Sequence, residues 1–547
     1  MDSPKLEAIL ELVSGKGDSM RIRGTPPSAR AYLIAQICEE ESKSKTPTRP
    51  KVVLCPTDEL ASEFCSDLEA VSTSLSNRKI KACHFPSWEQ SPYSSIAPSI
   101  RTRHARIGIL SALTRPFSPE VIVTTFAASI QAAIPRDLCF RWTLGLKING
   151  KIDSQLGLAA LLTEHGYQRV ELVEDPGTFS IRGDILDLFA PQTNRPVRIE
   201  LFDDEIERIR EFDPGTQRTL SGPERELKEF WIPPAREVLN NPSTSAYLRE
   251  RIKTHADDLG IPRSVRDPIL SAIREGTYPD HSDTWVPFAY SNPSTLWEYL
   301  FHGSTENPPL IVWNDEIRCQ QNWQQFYDEQ IKFSSDLEKN LKILPKLCEL
   351  YPEPEKWLEK LKGHQSIYFD QVQLMNQPGE LGPSHSFDLR IDPQQNSSNK
   401  YSLANLETPI KTCIKSGFKT VIFTSTQSQL ERFRILFEEK GIPSRTQLPI
   451  HPSTVHLALG SFSGGFEWVS EGILILVEEE VLNRQHNKKK KLKPAPENRS
   501  SSQEWSEVQA LSDLTVGDYI VHRDHGIGQY HGLVRLTLSG APRTLFN

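Results

Sequence analysis

The feature that most limits how this chain can fold is a run with no polar side. "KVVLCP" at residues 51–56 is followed at once by "DELASEFCSDLEAVS", whose apolar positions recur every three to four residues. A strand apolar on both faces must be covered on both, and a helix directly after it supplies one cover, which is the repeating unit of a parallel sheet. The pattern recurs along the chain. A helix over about 28–40 precedes the strand, a helix over about 100–113 leads to "VIVTT", and "PPLIVWNDEI" runs into a helix near 319–340. "KTVIFTS" runs into "QSQLERFRILFEEKG", where Leu430, Phe433, Leu436 and Phe437 share one helix face and Gly441 supplies the stop. Asp58, just after the first strand, is placed to cap the helix that follows. At 547 residues the chain exceeds what one core serves, so the expected fold class is multidomain α/β.

Between about 148 and 235 the apolar period changes to two. In "RPVRIELFDDE", Val197, Ile199 and Leu201 fall on one face while Arg198, Glu200 and Phe202 fall on the other. In "TFSIRGDIL", Phe179 and Ile181 point one way and Arg182 the other. This describes a half-exposed antiparallel sheet, with "FDDEI" as a turn, inserted into the α/β order. Two arginines beside an aromatic on a charged face have the composition of an interface hot spot, because Arg pairs a partner's carboxylate bidentately. A neighbouring domain lying over the face fits the same composition. A separate α/β unit is expected over 360–482, a charged, Pro/Ser-containing linker over 483–512, and a last β-rich segment over 513–547.

Residues 24–31, "GTPPSARA", keep the frame of a phosphate-binding loop and lack its working groups. Gly24 stands at the first position. Ala29, Arg30 and Ala31 replace the glycine that lets amides close around phosphates, the lysine that reaches them, and the hydroxyl that holds Mg²⁺. Acidic strand ends, Asp315 and Glu316 in "LIVWNDE" and the run in "LILVEEE", faintly resemble the acid pair of an ATPase. Without the lysine they cannot organise Mg-ATP, and helix capping accounts for them. The chain is therefore expected to hold no cofactor and to carry no catalytic residue.

The formal net charge of -8 argues against a protein whose whole surface binds nucleic acid. Lys488 to Lys491 with Lys493 and Arg484 suit phosphate contacts, but a solvated tether accounts for them and no aromatics interleave. "HRDHGIGQYH" brings His522, Asp524, His525 and His531 close in sequence. On a strand and turn, however, His522 and His525 face opposite ways, zinc spacing is lacking, and Gly526 and Gly528 suit a bend. The eight cysteines are scattered and read as reduced thiols. "MDSPKLEAILELVSG" reads as an amphipathic helix, not a signal peptide, and "GILILV" is too short to span a bilayer, so a cytoplasmic protein without a membrane partner is expected.

Five stretches, in this order, carry a resemblance to a known family: "FPSWEQSPY" with "RTRHARIGILSAL", "DPGTFSIRGDILDLFAP", "VRIELFDDEIERIREFDPGTQRT" and "VGDYIVHRDHGIGQYHGL". The chain resembles the bacterial transcription-repair coupling factors, the Mfd family, from about residue 5 to its end. The resemblance implies a first part similar to the excision-repair helicase UvrB, with an eroded ATP site, made of domain 1a (1–147) and domain 1b (236–350). It implies an inserted domain 2 (148–235) that binds UvrA, with Arg182, Arg198 and Phe202 at the family's UvrA-contacting positions. The 360–482 unit is then domain 3. The short "SPYSSIAPSIRT" connection leaves no room for the DNA-gripping hairpin of UvrB.

Residues 513–547 are similar to the start of a small β-barrel that holds the RNA polymerase β subunit. Val521, His522, His525, Gly526 and Gly528 lie in that segment, and the barrel is expected to be incomplete. The family's ATP-driven translocase, which uses ATP and Mg and acts on double-stranded DNA, is expected beyond it. In complete members another domain masks the UvrA-binding face, so a chain without that domain is expected to leave it open. Two other functions compete with recruitment: an active UvrB-like repair helicase, disfavoured by Ala29, Arg30 and Ala31, and a transcription regulator acting through the polymerase-binding segment.

Overall fold

A computed structural model describes residues 5–482 apart from 16–17, 44–47, 76–77, 89–90, 95–96, 116–118, 223–224, 280–281, 303–307, 338–341, 371–384, 395–399 and 404, together with the backbone of strands between 519 and 546. The linker assigned to 483–512, with its lysine run, lies outside the described residues, as do Asp524, His525 and His531. The chain divides into two compact units, residues 1–485 and 486–547.

The first unit opens with α1 (Lys5–Ser14), β1 (Met20–Arg23), α2 (Pro27–Lys43), β2 (Lys51–Cys55), α3 (Asp58–Ser74), β3 (Ala82–Phe85), α4 (Ile100–Leu113) and β4 (Val121–Thr125). As the apolar run of "KVVLC" requires, β2 is buried along its whole length. Val52 and Leu54 enter the core on one face of the sheet, and Val53 and Cys55 enter the core on the other. The helix after β2 is not capped by Asp58. Thr57 is the N-cap, its hydroxyl accepting from Leu60 N, and Asp58 sits one position inside. The Asp58 carboxylate reaches across to the end of β3, accepting from Ser87 N at 3.0 Å and meeting His84 Nε2 at 3.1 Å. Two adjacent capping residue types allow a one-residue slip that sequence does not resolve.

Strands β5 (Leu144–Lys147), β6 (Gln168–Arg169), β7 (Thr178–Arg182), β8 (Ile185–Phe189), β9 (Val197–Phe202), β10 (Glu205–Glu211) and β11 (Glu229–Ile232) follow. They form a five-stranded sheet of order β10-β9-β8-β7-β6 and a two-stranded sheet of β11 with β5. The first sheet then resumes with β12 (Leu310–Asn314), β13 (Ser366–Asp370) and β14 (His385–Asp388), giving the order β14-β1-β13-β12-β2-β4-β3. Residues 366–388 fall within the stretch 360–482 that the sequence pattern groups with the later α/β unit. Their strands instead pair in parallel with the first sheet, Ile367 opposite Met20 and Val312. Parallel partners are far apart in sequence, and nothing in "SIYFD" itself says which sheet it joins.

A six-stranded sheet completes this unit, built from β15 (Asp392–Pro393), β16 (Lys419–Thr424), β17 (Ser444–Arg445), β18 (Val455–Leu459), β19 (Phe466–Trp468) and β20 (Ile473–Val477) in the order β15-β19-β20-β16-β18-β17. It shares a core with one face of the first sheet, in which Ala29, Ala31 and Phe64 of α2 and α3 lie with Phe423, Phe466 and Ile475. The Tyr32 ring of α2 meets the Phe466 ring edge-on at 6.0 Å.

Helix α4 fastens the five-stranded sheet to the first. Arg106, fully buried, donates from Nε to Glu237 at 2.7 Å and from Nη1 to the Pro86 carbonyl at 3.0 Å. At Gly108 a Cβ would come within 3.0 Å of Gln192 Cβ, so glycine permits the close approach of helix and loop. The second unit consists, among described residues, of two antiparallel strand pairs, Tyr519–His522 with Gly526–Gln529 and Leu533–Leu538 with Ala541–Phe546. The fold is mixed α/β with parallel, antiparallel and mixed sheets. No described helix is long and apolar enough to cross a membrane.

Candidate partner-binding face

The five-stranded sheet has one dry and one open face because its strands alternate. Phe179, Leu186, Val197, Ile199, Leu201, Ile206 and Ile209 fill the core under it, with Leu158 and Leu162 of the helix Gln155–Glu164. The opposite face is mostly polar and is open toward the turns, while at the far end Phe189 is buried with Val173 and Phe212. Two tight turns close the hairpins at the same end of the sheet, and each places a residue in the left-handed region: Gly183 at φ 58° and Asp203 at φ 58°. Such turns match the twist of the flanking strands and favour Gly and Asp.

Across the open face, Ser180, Asp187, Arg198 and Arg210 stand side by side on four strands, and Arg182, Ile185, Glu200 and Arg208 form the next row toward the turns. Asp187 is 1 % exposed and is the hub. Arg198 donates to both its oxygens, Nε to Oδ1 at 2.7 Å and Nη2 to Oδ2 at 2.9 Å, and Arg182 Nη2 adds a third bond to Oδ2 at 2.6 Å. Arg198 also donates to Thr219 Oγ1 at 3.3 Å and stacks over Phe212 at 4.8 Å. Its hydrogen bonds to Asp187 raise its pKa above the usual arginine value, so the charge is permanent. Arg210 pairs with Glu200.

The three residues singled out by alternation thus lie on one face but differ in kind. Phe202 is 77 % exposed at the turn end of β9. The Arg182 side chain is about half exposed, whereas that of Arg198 is mostly covered. An arginine that spends two donors on a buried carboxylate and a third on Thr219 is held in one orientation. Sequence reasoning missed Asp187. Its signal was present in "DILDLF", where a carboxylate interrupts an apolar strand and therefore demands a cationic partner.

Residues 24–31 form the loop after β1 and the first turn of α2, and another segment of the chain lies against that loop. Gly24 adopts φ 68°, and a Cβ there would lie 2.8 Å from Asp388 Oδ1 and 2.9 Å from Arg390 N. The segment 388–391 is zipped onto the loop, Leu389 N donating to the Arg23 carbonyl at 3.1 Å and Ile391 N to the Gly24 carbonyl at 2.8 Å. Ala29 and Ala31 are fully buried in the core. Arg30, at the position of the lysine, is 1 % exposed and bonds protein instead, Nη1 to Asn314 Oδ1 at 2.5 Å and Nε to the Thr25 carbonyl at 3.2 Å. Burial lowers its pKa to about 10, against the pull of Asp315 and Asp370.

The acidic strand ends serve the backbone. Asp315 accepts from Arg318 N at 3.3 Å, and Glu478 accepts from Ser425 N at 3.0 Å and from its hydroxyl at 2.7 Å. In the second unit, Val521 and His522 lie on one strand and Gly526 and Gly528 on its antiparallel partner, His522 opposite Gly526.

Comparison with known proteins gives two family matches. Residues 144–237 match the UvrB interaction domain and residues 514–546 the CarD-like/TRCF RID domain. The transcription-repair-coupling factor of Myxococcus xanthus is 26% identical over 545 residues, covering 96% of this chain and 43% of the relative. That of Staphylococcus aureus (strain USA300) is 29% identical over 394 residues, covering 70% of this chain and 32% of the relative. The chain spans less than half the length of these curated relatives.

Proposed function

The chain is related to transcription-repair-coupling factors along their N-terminal portion, and from that premise we propose that it recruits UvrA to sites of transcription-coupled excision repair. The observation that carries the proposal is the open face of the five-stranded sheet. There an aromatic ring, Phe202, stands exposed beside arginines locked by Asp187, within the segment that matches the UvrB interaction domain. The ring offers a large apolar anchor of low entropy cost, and the guanidinium groups offer oriented donors for carboxylates.

On this reading domain 2 spans 148–235, carried by UvrB-like domains 1a (1–147) and 1b (236–350), with a degenerate phosphate loop at Gly24, Ala29, Arg30 and Ala31. Residues 360–482 are domain 3 less the strands that join the first sheet. Residues 513–547, with Val521, His522, His525, Gly526 and Gly528, contribute to a β-barrel that contacts the RNA polymerase β subunit. ATP-driven translocation on double-stranded DNA belongs to other parts of the full-length relatives, and the work is done in the cytoplasm. The test is the affinity of UvrA for this chain beside its Arg198→Ala and Phe202→Ala variants. Loss of binding in both supports the face, and tight binding untouched by either overturns it.

A second reading, a transcription regulator, is favoured by the match of residues 514–546 to the CarD-like/TRCF RID domain. On that reading, deleting 513–547 abolishes function. On the recruitment reading, UvrA binding survives the deletion.

A further inference from the structure

The face proposed for UvrA contains one guanidinium that the sheet itself does not use. Strand β10 carries a bulge between Ile206 and Arg208: Ile206 pairs with Leu201, and the next partner, Glu200, is met by Arg208 rather than Glu207. Without that extra residue, strict alternation would put Glu207 on the open face and turn Arg208 toward the core. The bulge changes the phase, so Arg208 and Arg210 both face outward while Ile209 stays buried.

Arg208 gains no carboxylate by this. Its in-register neighbour Glu200 is taken by Arg210, and Asp187 is shared by Arg182 and Arg198. Arg208 is exposed and forms no ion pair among the described residues. Of the four arginines on the face, Arg182, Arg198 and Arg210 are each paired with a carboxylate of the sheet, which leaves the Arg208 guanidinium to a partner. It sits beside the exposed ring, because Phe202 lies two residues along β9 from Glu200, placing Arg208 on its diagonal.

We propose that Arg208 is a specificity-determining residue of this surface, pairing with a carboxylate on the partner at the rim of the socket that receives Phe202. The inference rests on the face being the UvrA contact. An exposed cation at the rim of an apolar anchor acts mainly on encounter and partner choice, so its signature is a salt-dependent association rate.

The experiment is surface-plasmon measurement of UvrA binding to the intact chain and to Arg208→Glu, Arg208→Lys and Phe202→Ala, at low and high salt, with melting temperatures recorded. The expected result is an association rate about tenfold slower for Arg208→Glu at low salt, a difference that shrinks at high salt, near-normal binding for Arg208→Lys, and unchanged melting. If Phe202→Ala loses binding while Arg208→Glu matches the parent at both salts, the inference fails and the recruitment reading stands. If neither variant changes binding, or the parent does not bind UvrA, the recruitment reading fails and takes the inference with it.

Discussion

Two residue types do different work on the open sheet face, and substitutions separate them. Phe202 touches little of its own protein, so Phe202→Ala should leave the melting temperature unchanged while weakening UvrA binding. A hot-spot loss of about 2 kcal/mol corresponds to a roughly thirtyfold higher Kd, read by calorimetry. Asp187 is the reverse case. It is buried and accepts from two arginines, so Asp187→Ala leaves both guanidinium groups without their carboxylate and should destabilise by about 3 kcal/mol, read as a lower denaturant midpoint. Alternation made Arg182, Arg198 and Phe202 legible, since facing in or out is a property of one strand. The tie through Asp187 was not legible, because it depends on β8 lying between β7 and β9 with Asp187 opposite both Ser180 and Arg198.

Among elements, the packing of α3 against the six-stranded sheet contains a titrating contact. Asp67 of α3 is 2 % exposed and accepts from Ser463 N at 2.7 Å and from Ser463 Oγ at 2.6 Å, while Gly460 lies against Ala70. Burial pushes the Asp67 carboxyl up to about 7, although the bonds from Ser463 oppose the shift. The native state therefore holds this proton more tightly than the unfolded chain, and this contribution to stability falls as pH rises from about 4 to about 7. His104 and His165 are held down to about 4 by burial, which gives the opposite sign: their contribution is full above 6.5 and is lost as pH falls toward 4. Total stability mixes the two, so the difference between variants is the clean measure. The melting temperature of Asp67→Asn relative to the parent should rise between pH 4.5 and pH 8, and a flat difference would show that Asp67 titrates normally.

For the whole molecule, the prediction concerns nucleotide. Replacing Ala29, Arg30 and Ala31 by Gly, Lys and Thr restores the phosphate-loop signature but not the space, because the segment 388–391 is bonded to the loop and closes on Gly24. Neither the parent nor this triple variant should show a thermal shift with Mg-ATP, since a ligand raises stability only if the native state binds it. A shift in the parent would revive the ATPase reading. A shift in the triple variant alone would mean that the plug yields. Deleting 513–547 should leave UvrA affinity within about twofold of the parent, since every residue proposed to contact UvrA lies in the first unit.

Local rules determined much of this protein from sequence alone. Uniform apolar runs made buried parallel strands, period two made a one-sided sheet, and the loss of Gly, Lys and hydroxyl at 29–31 removed the groups that nucleotide chemistry needs. Tertiary structure decided what depends on partners distant in the chain. It joined the strands Ser366–Asp370 and His385–Asp388 to the first sheet, set the bulge that turns Arg208 outward, and gathered two arginines onto Asp187. It also bonded the loop at Gly24 to residues more than 350 positions away. Periodicity fixes which face a side chain takes, but register and strand order choose its neighbours, and those are set only when the sheets assemble.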